Sequence, residues 1–246
     1  MSSIIEVQSL VKSFGGMTAV NGASFEIPEQ SIVGLIGPNG SGKTTTLNLL
    51  NGVSAPDSGS IRVGGAEFAG KSSTALVKAG VTRTFQNARV FSTITAVENL
   101  LVPVLHSRGL KSSWVHKAES LLEFVGLSSH RDTPASELSG GQQKLLEFVR
   151  ALMTDPEVVL MDEPFAGVHP SVKEVMRDRI LERNAEGTAF LIVSHEIPDL
   201  TRLCSSIICM SEGKVIAQGS PDEVTSDPKV IEAYLGHGPA GRGERG

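Results

Sequence analysis

Eight consecutive residues have the composition and order of a phosphate-binding loop. They are Gly37, Pro38, Asn39, Gly40, Ser41, Gly42, Lys43 and Thr44, and they fit the pattern G-x-x-x-x-G-K-[ST]. Glycines let backbone N–H groups converge on a phosphate, and the start of a following helix adds partial positive charge. Lys43 would reach the β- and γ-phosphates, and the Thr44 hydroxyl would bind Mg²⁺. We also assign the neighbouring Thr45 to the ATP-binding residues. The alternative is a strand-to-helix turn that needs glycines for its own backbone geometry.

Two acidic residues follow an apolar run further along the chain. Val158–Met161 is apolar throughout, as buried parallel strands are, and Asp162 and Glu163 come directly after it. Carboxylates at the carboxyl edge of a parallel sheet face the ligand crevice. We expect Asp162 to hold Mg²⁺ through water and Glu163 to polarise an attacking water as general base. Asp162 could instead be the N-cap of a helix, since Pro164 follows it closely.

A second glycine-rich segment could also meet a phosphate. It consists of Leu138, Ser139, Gly140, Gly141 and Gln142 and opens a helical pattern. Ser139 and Gln142 have the spacing of a capping box, which is the local explanation of the segment. A capped helix does not need two adjacent glycines, however. The glycine pair would leave the helix N-terminus open to the close approach of an anion.

Three further residues are candidates for the nucleotide site because of their positions relative to the predicted strands and turns. His195 follows an apolar strand pattern, Gln86 lies at a strand end beside a helical insert, and Phe14 precedes Gly15-Gly16. Taken alone, His195 could be structural and Gln86 carries little information. Phe14 could belong to the core or could stack on an adenine ring.

The first third of the chain has strand patterns around one helix. Residues 4–10 and 23–28 alternate apolar and polar side chains, Ser31–Ile36 is a short apolar run, and Thr45–Leu50 has a helical pattern. Ile61–Val63 runs into Gly64-Gly65, which predicts a hairpin. These features predict a parallel core strand with an antiparallel edge sheet.

The pattern becomes helical in the middle of the chain and returns to strands afterwards. Val97–Leu105, Val115–Val125 and Gln143–Met153 have apolar residues at helical spacings, and Asp155-Pro156 ends this part. The later elements are two strand patterns, Phe190–Val193 and Ile207–Met210, a hairpin to Lys214–Ile216 across Glu212-Gly213, and a mostly helical stretch over Asp222–Leu235.

We therefore predict one α/β domain over residues 4–236. Its core would comprise residues 4–86 and 156–236, with a mixed, mostly parallel sheet and an antiparallel β edge subdomain. An α-helical subdomain would be inserted at about residues 87–155. Residues 237–246 are rich in glycine and charge, which is typical of a disordered tail.

Composition excludes several classes of protein. The 246 residues carry a net charge of −5 with no basic run, which argues against a nucleic-acid partner. Cys204 and Cys209 have no metal-binding spacing, so we expect buried free thiols. Glu6 interrupts any signal peptide, and the apolar runs are too short to cross a bilayer. We expect a cytosolic protein that depends on other chains for any work at a membrane.

Together these residues resemble the ATP-binding cassette (ABC) ATPases over nearly the whole chain. The matching elements, in chain order, are Phe14 (adenine platform), Gly37–Thr44 (Walker A), Gln86 (Q-loop), Leu138–Gln142 (signature), Val158–Glu163 (Walker B) and His195 (switch histidine). The resemblance implies a P-loop NTPase core that binds ATP and Mg²⁺. It places Glu163, His195 and Lys43 in catalysis, and Thr44, Gln86 and Asp162 at the metal.

The resemblance also implies partners. Two such ATPase subunits, identical or paralogous, pair head to tail, and the signature of one contacts the γ-phosphate of ATP on the other. Gln86 and the helical subdomain pass motion to integral membrane permease subunits, which receive substrate from a solute-binding protein. The ATPase would then lie on the cytoplasmic face of the plasma membrane.

Within this family the chain is similar to importers of branched-chain amino acids. The similarity lies in Arg83–Gln86, Phe91, Glu98–Leu101, Val230–Gly236 and Ala166–Pro170. That group usually has Asn or Asp where this chain has His169, so the resemblance leaves the inter-subunit contact of this loop open. Urea and amide importers share most of these features.

Two other functions remain open from the sequence. One is a soluble, non-transport ABC ATPase, against which the single cassette, short length and negative charge argue. The other is a regulatory ATP binder that has lost catalysis, against which the intact Lys43, Asp162, Glu163 and His195 argue.

Overall fold

The fold is that of a computed structural model, which describes residues 2–105 and 112–235. The strands are β1 (Ser3–Phe14), β2 (Met17–Pro28), β3 (Ile32–Ile36), β4 (Ser58–Val63), β5 (Ala66–Glu67), β6 (Val81–Arg83), β7 (Val158–Asp162), β8 (Ala189–Val193), β9 (Ser206–Ser211) and β10 (Lys214–Gly219). The α-helices are α1 (Lys43–Leu50), α2 (Ser73–Lys78), α3 (Ala96–Leu101), α4 (Ser112–Phe124), α5 (Gly140–Leu152), α6 (Pro170–Ala185), α7 (Ile197–Leu203), α8 (Pro221–Ser226) and α9 (Pro228–Leu235). The predicted tail, 237–246, and Gly236 lie outside the described residues.

A six-stranded sheet forms the centre of the molecule. Its order is β10-β9-β3-β8-β7-β6, with parallel pairing from β9 to β6 and an antiparallel β10 at one edge. Side chains of β3 are buried on both faces, with Ile32 and Ile36 in one apolar cluster and Val33 and Leu35 in the other. The predicted mixed, mostly parallel sheet is confirmed. Because β3, β6, β7 and β8 run in the same direction, the segments that follow them meet at one edge.

A second sheet, of order β2-β1-β4-β5, is antiparallel, as predicted. The strands β1 and β2 extend well beyond the predicted 4–10 and 23–28. Their pairing continues to Phe14 opposite Met17, where Gly15 and Gly16 have φ of 50° and 90°. The hairpin therefore carries Phe14 at its tip.

Some helix boundaries differ from the predictions. The predicted helix Val97–Leu105 ends as an α-helix at Leu101 and continues as a 3₁₀ turn, because Pro103 has no backbone N–H to donate. The predicted stretch Asp222–Leu235 is divided at Asp227, with Pro228 starting a new helix. The helices α2, α6 and α7 were missed. Only Met176 and Ile180 are buried in α6, so the segment has little apolar periodicity.

The prediction of buried free thiols is confirmed. Cys204 and Cys209 are buried and free, and burial raises their thiol pKa values to about 12 and about 11. Within the described ranges, no helix combines the length and the apolar character required to cross a membrane.

Candidate functional site

A cavity of about 620 Å³ opens at the carboxyl edge of the large sheet. Its lining comprises Phe14, Met17, Ala19, Asn39, Gly40, Ser41, Gly42, Lys43, Thr44, Thr45, Gln86, Asp162, Glu163, Val193 and His195. The fold thus brings together candidates from five separate parts of the chain. Gly37, Pro38 and the segment Leu138–Gln142 do not line this cavity.

The glycine-rich loop between β3 and α1 rests on the edge of β2. Gly42 has φ of 102°, and a Cβ there would lie 2.3 Å from the backbone oxygen of Ala19. Gly40 has φ of 80°, and a Cβ there would meet nothing within 4 Å. Gly42 is therefore required for the close approach of loop and strand, and Gly40 leaves open space toward the cavity.

The Lys43 ammonium lies inside this loop. Its Nζ donates to the backbone oxygens of Gly37 at 2.6 Å and Pro38 at 2.9 Å. Burial lowers the pKa of Lys43, and the neighbouring carboxylates of Glu163 and Asp162 partly oppose that change. No carboxylate of the described residues lies within ion-pair distance of Nζ. The positive charge at the cavity wall can therefore attract an anion such as a phosphate.

Asp162 ends β7 and is held by an arginine that the sequence reasoning did not assign to the site. Arg83 donates through Nη2 to Asp162 Oδ2 at 2.9 Å and through Nη1 to Asn48 Oδ1 at 2.6 Å. The Arg83 side chain is only 5% exposed. No helix begins near Asp162, so its interpretation as a helix N-cap is wrong. The available signal for Arg83 was a basic residue three positions before Gln86.

Glu163 faces the cavity from an unusual backbone conformation. Its φ is 50°, and its N–H donates to the backbone oxygen of Val193 at 2.9 Å. Glu163 Oε2 lies 2.9 Å from Nδ1 of His195, whose side chain is 61% exposed. The two strands β7 and β8 therefore deliver an acidic group and an imidazole to the same point of the cavity.

Gln86 and Phe14 complete the cavity wall. Gln86 is exposed and lies three residues beyond the end of β6, so its predicted position at a strand end is wrong. Phe14 is 50% exposed, so it does not belong to the core. An exposed aromatic ring on the wall of a polar cavity can stack on a flat ligand group.

The wall also offers oxygen ligands of the kind that Mg²⁺ prefers. The Thr44 hydroxyl, the Gln86 side-chain amide and the Asp162 carboxylate belong to residues that line the same cavity. Hydroxyl, carbonyl and carboxylate oxygens suit this hard cation. The chemistry of these donors therefore fits a magnesium ion.

The second glycine-rich segment forms a helix cap, as predicted. Ser139 Oγ accepts from the Gln142 N–H at 3.3 Å, and the Ser139 N–H donates to Gln142 Oε1 at 2.9 Å. The two glycines differ in their surroundings. A Cβ on Gly140 would meet open space, whereas a Cβ on Gly141 would lie 3.1 Å from Cγ2 of Val172 in α6. Only Gly140 therefore keeps the helix end open, while Gly141 permits close packing within the chain.

His169 caps the N-terminus of a helix, a role in which Asn and Asp are common. It is the N-cap of α6, and its Nδ1 accepts from the Ser171 N–H at 3.3 Å. The presence of His169 in place of Asn or Asp therefore preserves the local helix cap.

Tyr234 was missed by the sequence reasoning as part of this region. Its hydroxyl accepts a hydrogen bond from the Gly37 N–H at 2.8 Å, and burial raises its pKa to about 12. A Cβ on Gly37 would lie 2.1 Å from the backbone oxygen of Met210, so this part of the loop is packed against β9. Gly37 therefore anchors the loop and does not face the cavity. The contact spans 197 residues of sequence, and no local pattern predicts it.

We expect Tyr234→Phe to lower the free energy of unfolding by about 1–3 kcal/mol, because the part-buried Gly37 N–H loses its acceptor. Urea denaturation of the purified protein measures this change. Leu235→Ala is the control, since Leu235 is 74% exposed on the same helix and we expect no change in the midpoint. Equal stability of Tyr234→Phe and the wild type would show that the bond contributes nothing.

Two families of known proteins match this chain. Residues 20–166 match the ABC transporter family, and residues 214–240 match a family described as branched-chain amino acid ATP-binding cassette transporter. The probable branched-chain amino acid transport ATP-binding protein LivG of Archaeoglobus fulgidus is 38% identical over 95% of each chain. The high-affinity LivG protein of Salmonella typhimurium is 37% identical over 95% of this chain and 98% of its own.

Solved structures are similar over nearly the same extent. The ADP conformation of an ATP-binding cassette of an ABC transporter has a TM-score of 0.88 at 35% identity, covering 96% of this chain and 100% of that one. A dimeric ATP-binding cassette bound to ADP and Pi has a TM-score of 0.79 at 24% identity, covering 88% and 98%, and supports the fold alone.

Proposed function

The chain belongs to the ABC transporter family of ATP-binding cassettes, and on this premise we propose that it powers a membrane importer of branched-chain amino acids by hydrolysing ATP. The observation that supports hydrolysis is the single cavity lined by Lys43, Asp162, Glu163 and His195 together. A cradle with a cation binds phosphates, and a carboxylate beside it can activate water. A regulatory subunit without catalysis has no need of the Glu163–His195 contact.

In the proposed reaction, the loop amides and Lys43 bind the β- and γ-phosphates. Glu163 accepts the proton of a water that attacks the γ-phosphorus, and the bond to the β–γ bridging oxygen breaks. His195 orients Glu163 through the 2.9 Å contact at Nδ1. Thr44, Asp162 and Gln86 would hold Mg²⁺, which neutralises phosphate charge when bound. Phe14 would stack on the adenine.

The position of the signature segment supports a dimer. Leu138–Gln142 does not line the cavity of its own chain, and Gly140 opens to empty space at the N-terminus of α5. A helix N-terminus binds anions, so this end is suited to the γ-phosphate of ATP on a second subunit. We propose that two such subunits, identical or paralogous, complete each other's sites head to tail on the cytoplasmic side of permease subunits.

The substrate assignment rests on the relatives. The curated relatives described above carry names of branched-chain amino acid transport proteins, and the C-terminal match is to a family described in the same terms. A urea or amide importer is the other outcome that transport measurements can give.

We expect proteoliposomes containing this chain, its permease subunits and the matching solute-binding protein to accumulate labelled leucine in the presence of Mg²⁺ and ATP. Uptake should cease when EDTA removes the metal or when a non-hydrolysable ATP analogue replaces ATP. Labelled urea is the matched control and should not accumulate. Accumulation of urea without leucine would contradict the assignment of the substrate. If ATP changed the uptake of neither leucine nor urea, the result would contradict the proposed function itself.

A further inference from the structure

One buried carboxylate has no role in the chemistry described above. Glu147 lies in the middle of α5, and the residue is only 4% exposed. The nearest cation is the guanidinium of Arg150, at 4.0 Å from Oε1. Burial raises the pKa of Glu147, against the effect of its hydrogen bonds. Burying a carboxylate is costly, and an apolar side chain of similar size would pack there at lower cost.

Glu147 accepts from two backbone amides that flank Gln86. The Arg89 N–H donates to Oε1 at 3.0 Å, and the Phe85 N–H donates to Oε2 at 3.4 Å. The segment from Thr84 to Val90 belongs to no helix or strand. Glu147 therefore supplies acceptors that regular secondary structure does not, and fixes the path of the chain on both sides of Gln86.

Lys144 lies one turn earlier on the same helix and binds a second segment of the site. Its Nζ donates to the backbone oxygens of Ala166 at 2.6 Å, Glu163 at 3.2 Å and Pro164 at 3.4 Å. Residues three apart on a helix lie on the same face. One face of α5 therefore holds the segment after β6 and the segment after β7, each of which carries a side chain of the cavity wall.

We propose that Glu147 and Lys144 are positioning residues that fix Gln86 and Glu163 relative to the helix that Ser139 caps. Neither side chain lines the cavity, so both act through other residues. The inference rests on the proposed function in one respect, that Glu163 and Gln86 act on ATP. Helix α5 then links the site of its own chain to the helix end that would face the second subunit.

The first test replaces Glu147 with Gln. Glutamine has a single acceptor oxygen and presents an N–H₂ group to the other amide, so one of the two bonds is lost. We expect the Phe85 or Arg89 amide to exchange its hydrogen about 10-fold faster, since a lost bond of about 1.4 kcal/mol corresponds to that factor. Amides of α1 should exchange as in the wild type. Hydrogen exchange needs no ATP hydrolysis, so this result is independent of whether the proposed function is correct.

The second test measures ATPase kinetics. We expect Glu147→Gln and Lys144→Met to lower kcat about 10-fold with less than about 2-fold change in KM for ATP, because geometry at Gln86 and Glu163 changes while the phosphate loop does not. Lys144→Arg keeps a cation within reach of the three oxygens and should restore most of kcat. Glu119→Gln is the matched control, since Glu119 lies on α4 and the substitution breaks its ion pair with Arg131, whose side chain does not line the cavity.

The outcomes separate the possibilities. Wild-type exchange at Phe85 and Arg89 together with wild-type kcat in Glu147→Gln would overturn the proposal. Equal loss of kcat in Lys144→Arg and Lys144→Met would also contradict it, because the cation would then not be what matters. A parallel loss in Glu119→Gln would reveal a general loss of stability instead. Absence of ATP turnover in the wild type would contradict the proposed function. The hydrogen-exchange result would remain valid, because it does not depend on ATP hydrolysis.

Discussion

Replacing Glu163 with Gln is expected to leave ATP binding intact and to lower steady-state hydrolysis by about 100-fold or more. Glutamine has nearly the same shape as glutamate and carries no charge, so it cannot accept the proton of the attacking water. The backbone N–H of Glu163 still donates to Val193, and the loop and Lys43 are unchanged. The substitution therefore removes the chemical step and keeps the phosphate site.

Nucleotide binding and phosphate release are measured on the same preparation, with binding followed in the presence of Mg²⁺. Glu157→Gln is the matched control, because Glu157 is an exposed carboxylate at the opposite end of β7. We expect wild-type turnover in that variant. Wild-type turnover in Glu163→Gln would contradict the assignment of Glu163 as the general base. Loss of nucleotide binding would show that Glu163 contributes to binding the nucleotide.

The second prediction concerns heterodimers of two inactive chains. A Ser139→Arg chain paired with a Lys43→Ala chain is expected to regain roughly half of the wild-type activity, provided that one intact site suffices. In a head-to-tail dimer one composite site has the intact Lys43 of the first chain and the intact Ser139 of the second. The other composite site carries both defects. Each homodimer has two damaged sites and should remain inactive.

The arrangement of the two substitutions provides a strict control. A chain carrying both Ser139→Arg and Lys43→Ala, paired with a wild-type chain, places one defect in each composite site and should be inactive. If the signature acted on the ATP of its own chain, the results would reverse, because the wild-type chain would then keep a complete site. Heterodimers isolated with two different affinity tags and assayed for phosphate release distinguish the two geometries.

The predicted elements that agree with the structure depend on short-range sequence patterns. The run before Gly37, the acidic pair after Val158–Met161 and the capping box at Ser139 all follow from neighbouring residues. The elements that were missed lack such a pattern, as in α6 with two buried residues. The strand expected to end at Gln86 is β6, which has only three residues and ends at Arg83. Pro103 and Pro228 mark helix boundaries that could have been predicted, since proline lacks the N–H that a helix interior requires.

The sequence by itself determined which residues could bind phosphate, activate water and cap the helix at Ser139, because these properties belong to residue types at short spacing. Only the tertiary structure decided how they are held. Arg83 supports Asp162 across 79 residues, Glu147 supports the Gln86 segment across about 60, and Tyr234 anchors Gly37 across 197. Only the structure separated Gly140, which opens to space, from Gly141, which packs on Val172. Such contacts depend on distances set by the packing of sheet and helices, and hydrophobic periodicity describes only which face of an element is buried.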